Sequence, residues 1–132
     1  MGKLGPAFID ITWRARTKEL SIDIAQGVQN LISFETMMHL CVADLSKADL
    51  KTVLQRMKTL GVRNILAMRG DPPIGTLQFK KHPDGFEYAH QLVTFIRTHF
   101  GDYFGIAVAG FPEQQPESTD AALDLKDLKQ KV

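Results

Sequence analysis

The chain has 132 residues, 44% of them hydrophobic, which suits one domain with a real core. Sixteen basic against fifteen acidic side chains give a net charge of +1, so nothing marks the chain for nucleic acid or another polyanion. A single cysteine, Cys41, excludes an internal disulfide and a cysteine-rich zinc site, and no apolar run approaches the ~20 residues of a membrane span. The opening Met1-Gly2-Lys3-Leu4-Gly5-Pro6 has no apolar signal core, and Pro6 stands where a myristoylation motif needs Ser or Thr. The expectation is a soluble, cytoplasmic α/β domain.

Phe8 to Trp13 alternates as a first strand, with Phe8, Asp10 and Thr12 on one face and Ile9 and Ile11 on the other. A helix from about Thr17 follows, with Leu20, Ile24, Val28 and Leu31 as its apolar stripe. The second strand is Thr36 to Val42. Ser46 caps a second helix whose stripe is Leu50, Val53, Leu54, Met57 and Leu60, with Gly61 just past its end.

Val62 to Met68 reads as a buried third strand, and it ends abruptly at Arg69-Gly70-Asp71-Pro72-Pro73. Gly70 removes a side chain where a ligand can approach the backbone, and the prolines end sheet pairing. An integrin-type reading of Arg69-Gly70-Asp71 has no secretory context to support it, whereas an Arg–Asp surface pair in a turn is the plain alternative. After a long loop, about Pro72 to Pro83, Asp84-Gly85-Phe86-Glu87 has the spacing of a capping box. Phe86, Ala89, Leu92, Val93, Ile96 and Phe100 then face the core. Phe104 to Gly110 is apolar throughout and is expected to be a strand covered on both faces. A last helix begins near Asp120, with Ala121, Leu125, Leu128 and Val132 inward.

Four strand–helix units in a row predict a parallel sheet. A closed (βα)8 barrel needs about 250 residues, so the chain is either about half of one or a small open doubly wound sheet. In both, Thr12-Trp13, His39, Arg69-Gly70-Asp71 and Phe111 with Glu113 come to one rim, where ligands bind. There is no glycine-rich dinucleotide fingerprint, no Walker loop and no metal-ligand spacing. His90 and His99 read as helix-surface residues. Cys41, beside His39, is expected to point to the opposite face, which leaves no Cys–His nucleophile pair. Asp127 and Lys131 form an i,i+4 pair, by default a surface salt bridge.

Taken together, Phe8-Ile9-Asp10-Ile11-Thr12-Trp13, Met38-His39-Leu40, Asn64 to Asp71, Gly101-Asp102-Tyr103-Phe104 and Val108 to Glu113 resemble methylenetetrahydrofolate reductase of the eukaryotic type. The resemblance implies a (βα)8 TIM barrel, of which this chain would supply strands two to five as a partial catalytic domain without a regulatory domain. It implies FAD-dependent reduction of 5,10-methylenetetrahydrofolate to 5-methyltetrahydrofolate with NAD(P)H, in one-carbon and methionine metabolism, and a homo-oligomeric full-length protein. Thr12, Trp13, Ala15, His39, Arg69, Gly70 and Asp71 would lie at the flavin. Tyr88 and Ala89 would touch the cofactor, and Phe111, Gln115, Asp124, Asp127 and Lys131 would surround its phosphates and adenosine half. Asp71 would be both catalytic and folate-binding, its charge favouring a cationic folate intermediate.

Four segments depart from the family pattern. Arg14-Ala15-Arg16 replaces Gly-Ala, Cys41-Val42 replaces Thr-Cys, Phe111 replaces a Tyr and Gln115 replaces a His. The family's general acid and its later substrate-binding strands would fall outside residues 1–132. The resemblance therefore implies a flavin-binding barrel fragment that does not turn over by itself.

Overall fold

The computed structural model describes residues 5–13, 18–31, 33–43, 45–72, 75, 79–111 and 120–131. Their order is β1 (Ile9–Ile11), α1 (Lys18–Leu31), β2 (Thr36–Cys41), α2 (Lys47–Thr59), β3 (Asn64–Met68), α3 (Ala89–Phe100), β4 (Gly105–Val108) and α4 (Ala121–Lys131).

All neighbouring strands pair in parallel, in the spatial order β1-β2-β3-β4. That order decides between the two sequence-level alternatives. A doubly wound sheet reverses its strand order and places helices on both faces, whereas a barrel adds each unit in sequence with helices on one face. Here Met38 and Leu40 of β2 and Ile65 and Ala67 of β3 are fully buried. They form one core with Ile22 and Ala25 of α1, Leu50, Leu54 and Met57 of α2, and Leu92, Ile96 and Phe100 of α3. The intervening residues Met37, His39, Cys41, Asn64, Leu66 and Met68 are only half-buried. The sheet is singly wound, with one face under helices and the other open among the described residues. The fold is α/β with consecutive parallel βα units, as in part of a (βα)8 barrel.

The second helix forms as its sequence predicts. Ser46 accepts from the Asp49 N–H at 3.0 Å, and the Asp49 carboxylate accepts the Ser46 N–H at 3.2 Å. These reciprocal bonds satisfy donors that the first turn leaves orphaned. Gly61, at φ +80°, ends the helix in the left-handed region that glycine adopts without strain.

Other elements correct the sequence reading. In α1 the buried positions are Ser21, Ile22 and Ala25, while Leu20, Ile24 and Leu31 of the predicted stripe are exposed. Both stripes have helical spacing, so periodicity alone cannot choose the one that meets the sheet. Thr17, the expected cap, lies outside the described residues.

The expected capping box at Asp84–Glu87 does not form. Residues 82–85 are a turn against the start of α2: Gly85 N–H donates to His82 O at 2.9 Å, and Lys47 N–H to Asp84 O at 2.9 Å. A Cβ on Gly85 would lie 2.5 Å from Leu45 O, so that turn is closely packed. α3 begins later, where the Gln91 side chain accepts from the Glu87 and Tyr88 N–H groups at 2.8 and 3.0 Å. Phe86 precedes the helix and packs edge-on against Phe95.

β4 is half-buried or exposed along its length, not covered on both faces, because the open side of the sheet carries no second layer among the described residues. In α4, Leu125 is 62% exposed, and the less exposed positions are Asp124, Leu128 and Lys131. Its inward side is therefore largely polar. Val132 lies outside the described residues.

Ser46→Ala removes the cap of α2 and is expected to cost about 1 kcal/mol. A fall in the urea midpoint at unchanged m-value checks this.

Candidate functional site

In a parallel sheet every strand presents its C-terminal end to the same rim, and the loops that follow are free to carry polar groups. In this chain the rim encloses a cavity of about 700 Å³, within the range of small-molecule and cofactor pockets. The exits of β1 and β2 supply Thr12, Trp13 and Cys41. β3 supplies Ala67 and Met68, and its exit supplies Arg69, Gly70, Asp71 and Pro72. Tyr88, Ala89 and His90 come from the start of α3, Ala109, Gly110 and Phe111 from the exit of β4, and Asp124, Asp127, Leu128 and Lys131 from α4.

Gly70 is held where a side chain does not fit. The Val42 and Ala43 N–H groups donate to the Met68 and Arg69 carbonyls at 3.1 Å each, extending the β2–β3 ladder past the end of β3. This draws residue 70 against β2: a Cβ there would stand 2.9 Å from Ala43 Cβ and 3.1 Å from Cys41 Cβ, and φ is +92°. The chain then turns, with Asp71 exposed on the rim. The Arg69 guanidinium lies over the Phe79 ring, 5.0 Å from its centroid, a cation–π contact that orients it.

α4 is fastened to β4 at the cavity. Lys131 Nζ donates to Ala109 O at 3.2 Å, and a Cβ on Gly110 would only just touch Leu128, at 3.7 Å. The polar side of α4 thus faces the site, which explains why its apolar stripe is so thin. At the start of α3, Tyr88 and His90 stack at 5.7 Å with an interplanar angle of 10°.

Cys41 lies within reach of the Asp71 charge. Burial pushes the Cys41 thiol up to about 11, and the nearby Asp71 carboxylate adds to the rise. The thiolate is therefore scarce at neutral pH. His39 and Cys41 are two residues apart on β2 and share the open face, contrary to the opposite facing expected from the sequence. Even so, a protonated thiol makes no Cys–His nucleophile pair.

The structure gathers Thr12, Trp13, Arg69, Gly70, Asp71, Tyr88, Ala89, Phe111, Asp124, Asp127 and Lys131 around one cavity. Ala15 and Gln115 lie outside the described residues. His39 is not in the lining. It sits lower on the sheet, opposite Leu66, with Nε2 buried, without a hydrogen-bond partner among the described residues and 3.8 Å from Asp10 Oδ1, too far for a bond. Sequence reasoning missed Cys41 and His90 as lining residues. Alternation from His39 pointed to the first, and the position after Ala89 in the first turn of α3 pointed to the second. Among the described residues no group of three or more His, Cys, Asp or Glu is placed to hold a metal, and no helix is long and apolar enough to cross a membrane.

The Cys41 environment has a measurable consequence. Alkylation by iodoacetamide in the folded chain is expected to stay slow at pH 8 and to accelerate only as pH approaches about 11. In Asp71→Asn, which removes one cause of the rise, the acceleration shifts to lower pH. An identical rate–pH profile in that variant contradicts the proximity.

Comparison with known proteins bears on this arrangement. The family profile for methylenetetrahydrofolate reductase matches residues 1–132. A probable methylenetetrahydrofolate reductase (NADH) of Oryza sativa subsp. japonica is 45% identical over 97% of this chain and 23% of its own length. Methylenetetrahydrofolate reductase 2 of Saccharomyces cerevisiae is 41% identical over 96% of this chain and 22% of its own. The 5,10-methylenetetrahydrofolate reductase of Escherichia coli is 32% identical over the whole chain and 43% of its own length. The chain spans less than half the length of each of these relatives, and within that span it belongs to the methylenetetrahydrofolate reductase family.

Proposed function

We propose that the rim cavity binds FAD and serves the reduction of 5,10-methylenetetrahydrofolate to 5-methyltetrahydrofolate with NAD(P)H. The observation that carries this reading is that eleven residues assigned to the cofactor by the family resemblance line a single cavity, though they come from three of the four βα units.

The residues fit the group. Gly70 is a cradle that any Cβ would fill, so a flat ring system can approach the backbone there. Arg69 and Lys131 are cations on the lining, and the first turn of the 12-residue α3 opens at the cavity with its partial positive charge. These suit a diphosphate. Tyr88 and Phe111, both half exposed, offer aromatic faces. Trp13 is buried and forms the floor beside Thr12. Asp124 and Asp127 on α4 would accept from ribose or adenine donors. His39 would act from below the lining, through its unpartnered Nε2. Bound flavin would supply the hydride-transfer chemistry, taking electrons from the nicotinamide and passing them to the folate.

The chain's own part in the reaction is positioning and charge. Asp71 stands exposed on the rim immediately after Gly70. Its carboxylate would favour positive charge developing on the folate and orient that substrate. The same charge contributes to raising the Cys41 thiol, which lines the cavity, and this supports the reading. A second reading, flavin binding without turnover, is favoured by the sheet face left open among the described residues, by which water can reach the cavity. The reductases from rice and Caenorhabditis elegans are named for NADH and NADPH respectively.

Flavin added to the purified chain is expected to bind with quenching of its fluorescence, and Lys131→Ala to weaken binding by about tenfold, the size of one charge-assisted hydrogen bond. No quenching at any concentration contradicts the reading. Wherever methyltetrahydrofolate–acceptor turnover is measurable, Asp71→Asn should lower it by ~10²-fold while flavin affinity is kept. Unchanged turnover removes Asp71 from the chemistry. Flavin binding with no turnover in the parent chain selects the second reading.

A further inference from the structure

Two titratable residues of the cavity lining, Cys41 and His90, stand outside the set that the family resemblance assigns to the cofactor. Cys41 stays a neutral thiol, held up to about 11 by burial and by Asp71. His90 differs in kind, because an imidazole gains a positive charge within the ordinary pH range.

The backbone sets His90 where such a charge has use. It is the second residue of α3, at the helix end that opens on the cavity. Its ring stacks on Tyr88, with centroids 5.7 Å apart and planes 10° apart, and the stack orients it without engaging either nitrogen. Among the described residues the hydrogen bond seen at His90 outside the helix ladder is from Thr94 Oγ1 to its carbonyl, at 3.1 Å. Both ring nitrogens are left to a ligand. The other histidines are used elsewhere. His82 Nδ1 accepts from the Asp84 N–H at 3.2 Å, His99 Nδ1 lies 2.9 Å from Phe95 O, and His39 lies one layer below the lining.

The charged groups around His90 come from few elements. Arg69 and Asp71 stand at the exit of β3, and Asp124, Asp127 and Lys131 on α4. Cys41 is the titratable group from β2, Tyr88 and the exposed Glu87 precede His90 itself, and the described exits of β1 and β4 add no charge to the lining. A diphosphate received at the end of α3 sets two negative charges beside the imidazole, whatever else borders the cavity. An anion so close favours the protonated ring, and the ring then supplies a charge-assisted bond.

We propose that His90 is a further cofactor-binding residue, which takes up a proton from solvent as FAD binds and donates from the imidazolium to the diphosphate. This rests on the reading of the cavity as the FAD site. The bound form then holds more protons than the free form, so FAD affinity rises as pH falls.

The test is fluorescence titration of the whole chain with FAD from about pH 8 to about pH 5.5, the range in which imidazole titrates. Riboflavin, which lacks phosphate, is the control. The diphosphate of FAD is esterified at both ends and keeps its charge throughout. FAD affinity is expected to rise about tenfold toward the lower pH, the size of one charge-assisted hydrogen bond, and riboflavin affinity to show no such rise. Calorimetry near pH 7 in two buffers of different ionisation enthalpy should show net proton uptake with FAD. His90→Asn should abolish both the rise and the uptake. His90→Gln repeats the comparison should the first variant lose its helix signal in circular dichroism. FAD binding indifferent to pH, an equal rise with riboflavin, or proton uptake kept in the His90 variants (as it would be were His39 the source) would overturn this proposal and leave the cavity reading standing. No FAD binding at any pH would overturn both.

Discussion

The pairing of β2 with β3 is the constraint on which the rest depends. Its register sets Cys41 opposite Met68, and the two further bonds from Val42 and Ala43 carry the ladder beyond the end of β3. Those bonds press residue 70 onto β2 so closely that only glycine serves there. Arg69 and Asp71, on either side, are then fixed at the rim by backbone and not by their own flexible side chains. Phe79 steadies the Arg69 guanidinium from the loop side. A site built on a ladder extension is stiffer than one built on a free loop.

The sheet around this pairing is singly wound, and that has opposite effects on its two faces. On the helix side, alternate residues of β2 and β3 meet three helices in a continuous buried core. On the other side, alternation delivers Asp10, His39, Cys41 and Asn64 together with Met37, Leu66 and Met68. These are the mixed, half-polar contents of a barrel interior rather than a wetted surface. His39 Nε2, buried without a partner, is the clearest sign of a face suited to more contacts than the described residues provide. The bottom of the sheet is better satisfied. There Thr36 donates to Gln29 at 2.6 Å, and Asn64 donates to Glu35 at 3.1 Å. Arg56 of α2 is paired with Glu19 and Asp23 of α1, tying those helices together on the outside.

Much of this was legible in the sequence where several signals coincided. For α2 the cap Ser46, the stripe Leu50–Leu54–Met57 and the stop Gly61 agree, and the helix follows them. For α1 two apolar stripes compete, and the smaller one, Ile22 and Ala25, is the one buried against the sheet. The segment at Asp84 has capping-box residues, but a tertiary contact with the start of α2 takes its backbone for a turn. α4 reads as an ordinary amphipathic helix until its polar side is seen to face the cavity. The site was legible at the strand exits, where Arg69-Gly70-Asp71 stands out. His90 was legible only through its neighbours Tyr88 and Ala89, since a first-turn histidine by itself looks the same whether it faces solvent or a ligand. The resemblance to a known family assigns His39 to the cofactor, and the register sets it one layer below the lining.

The central claim is that the rim at the C-terminal ends of the strands is the flavin site. It is tested most directly by amide nuclear magnetic resonance of the chain titrated with FAD. The account predicts shifts confined to Thr12, Trp13, Cys41, Met68 to Asp71, Tyr88 to His90, Ala109 to Phe111 and Asp124 to Lys131 of α4. Gly61, Arg63 and Tyr103, at the opposite end of the sheet, should stay still. Shifts centred on that opposite end, or spread evenly over the chain, would contradict it.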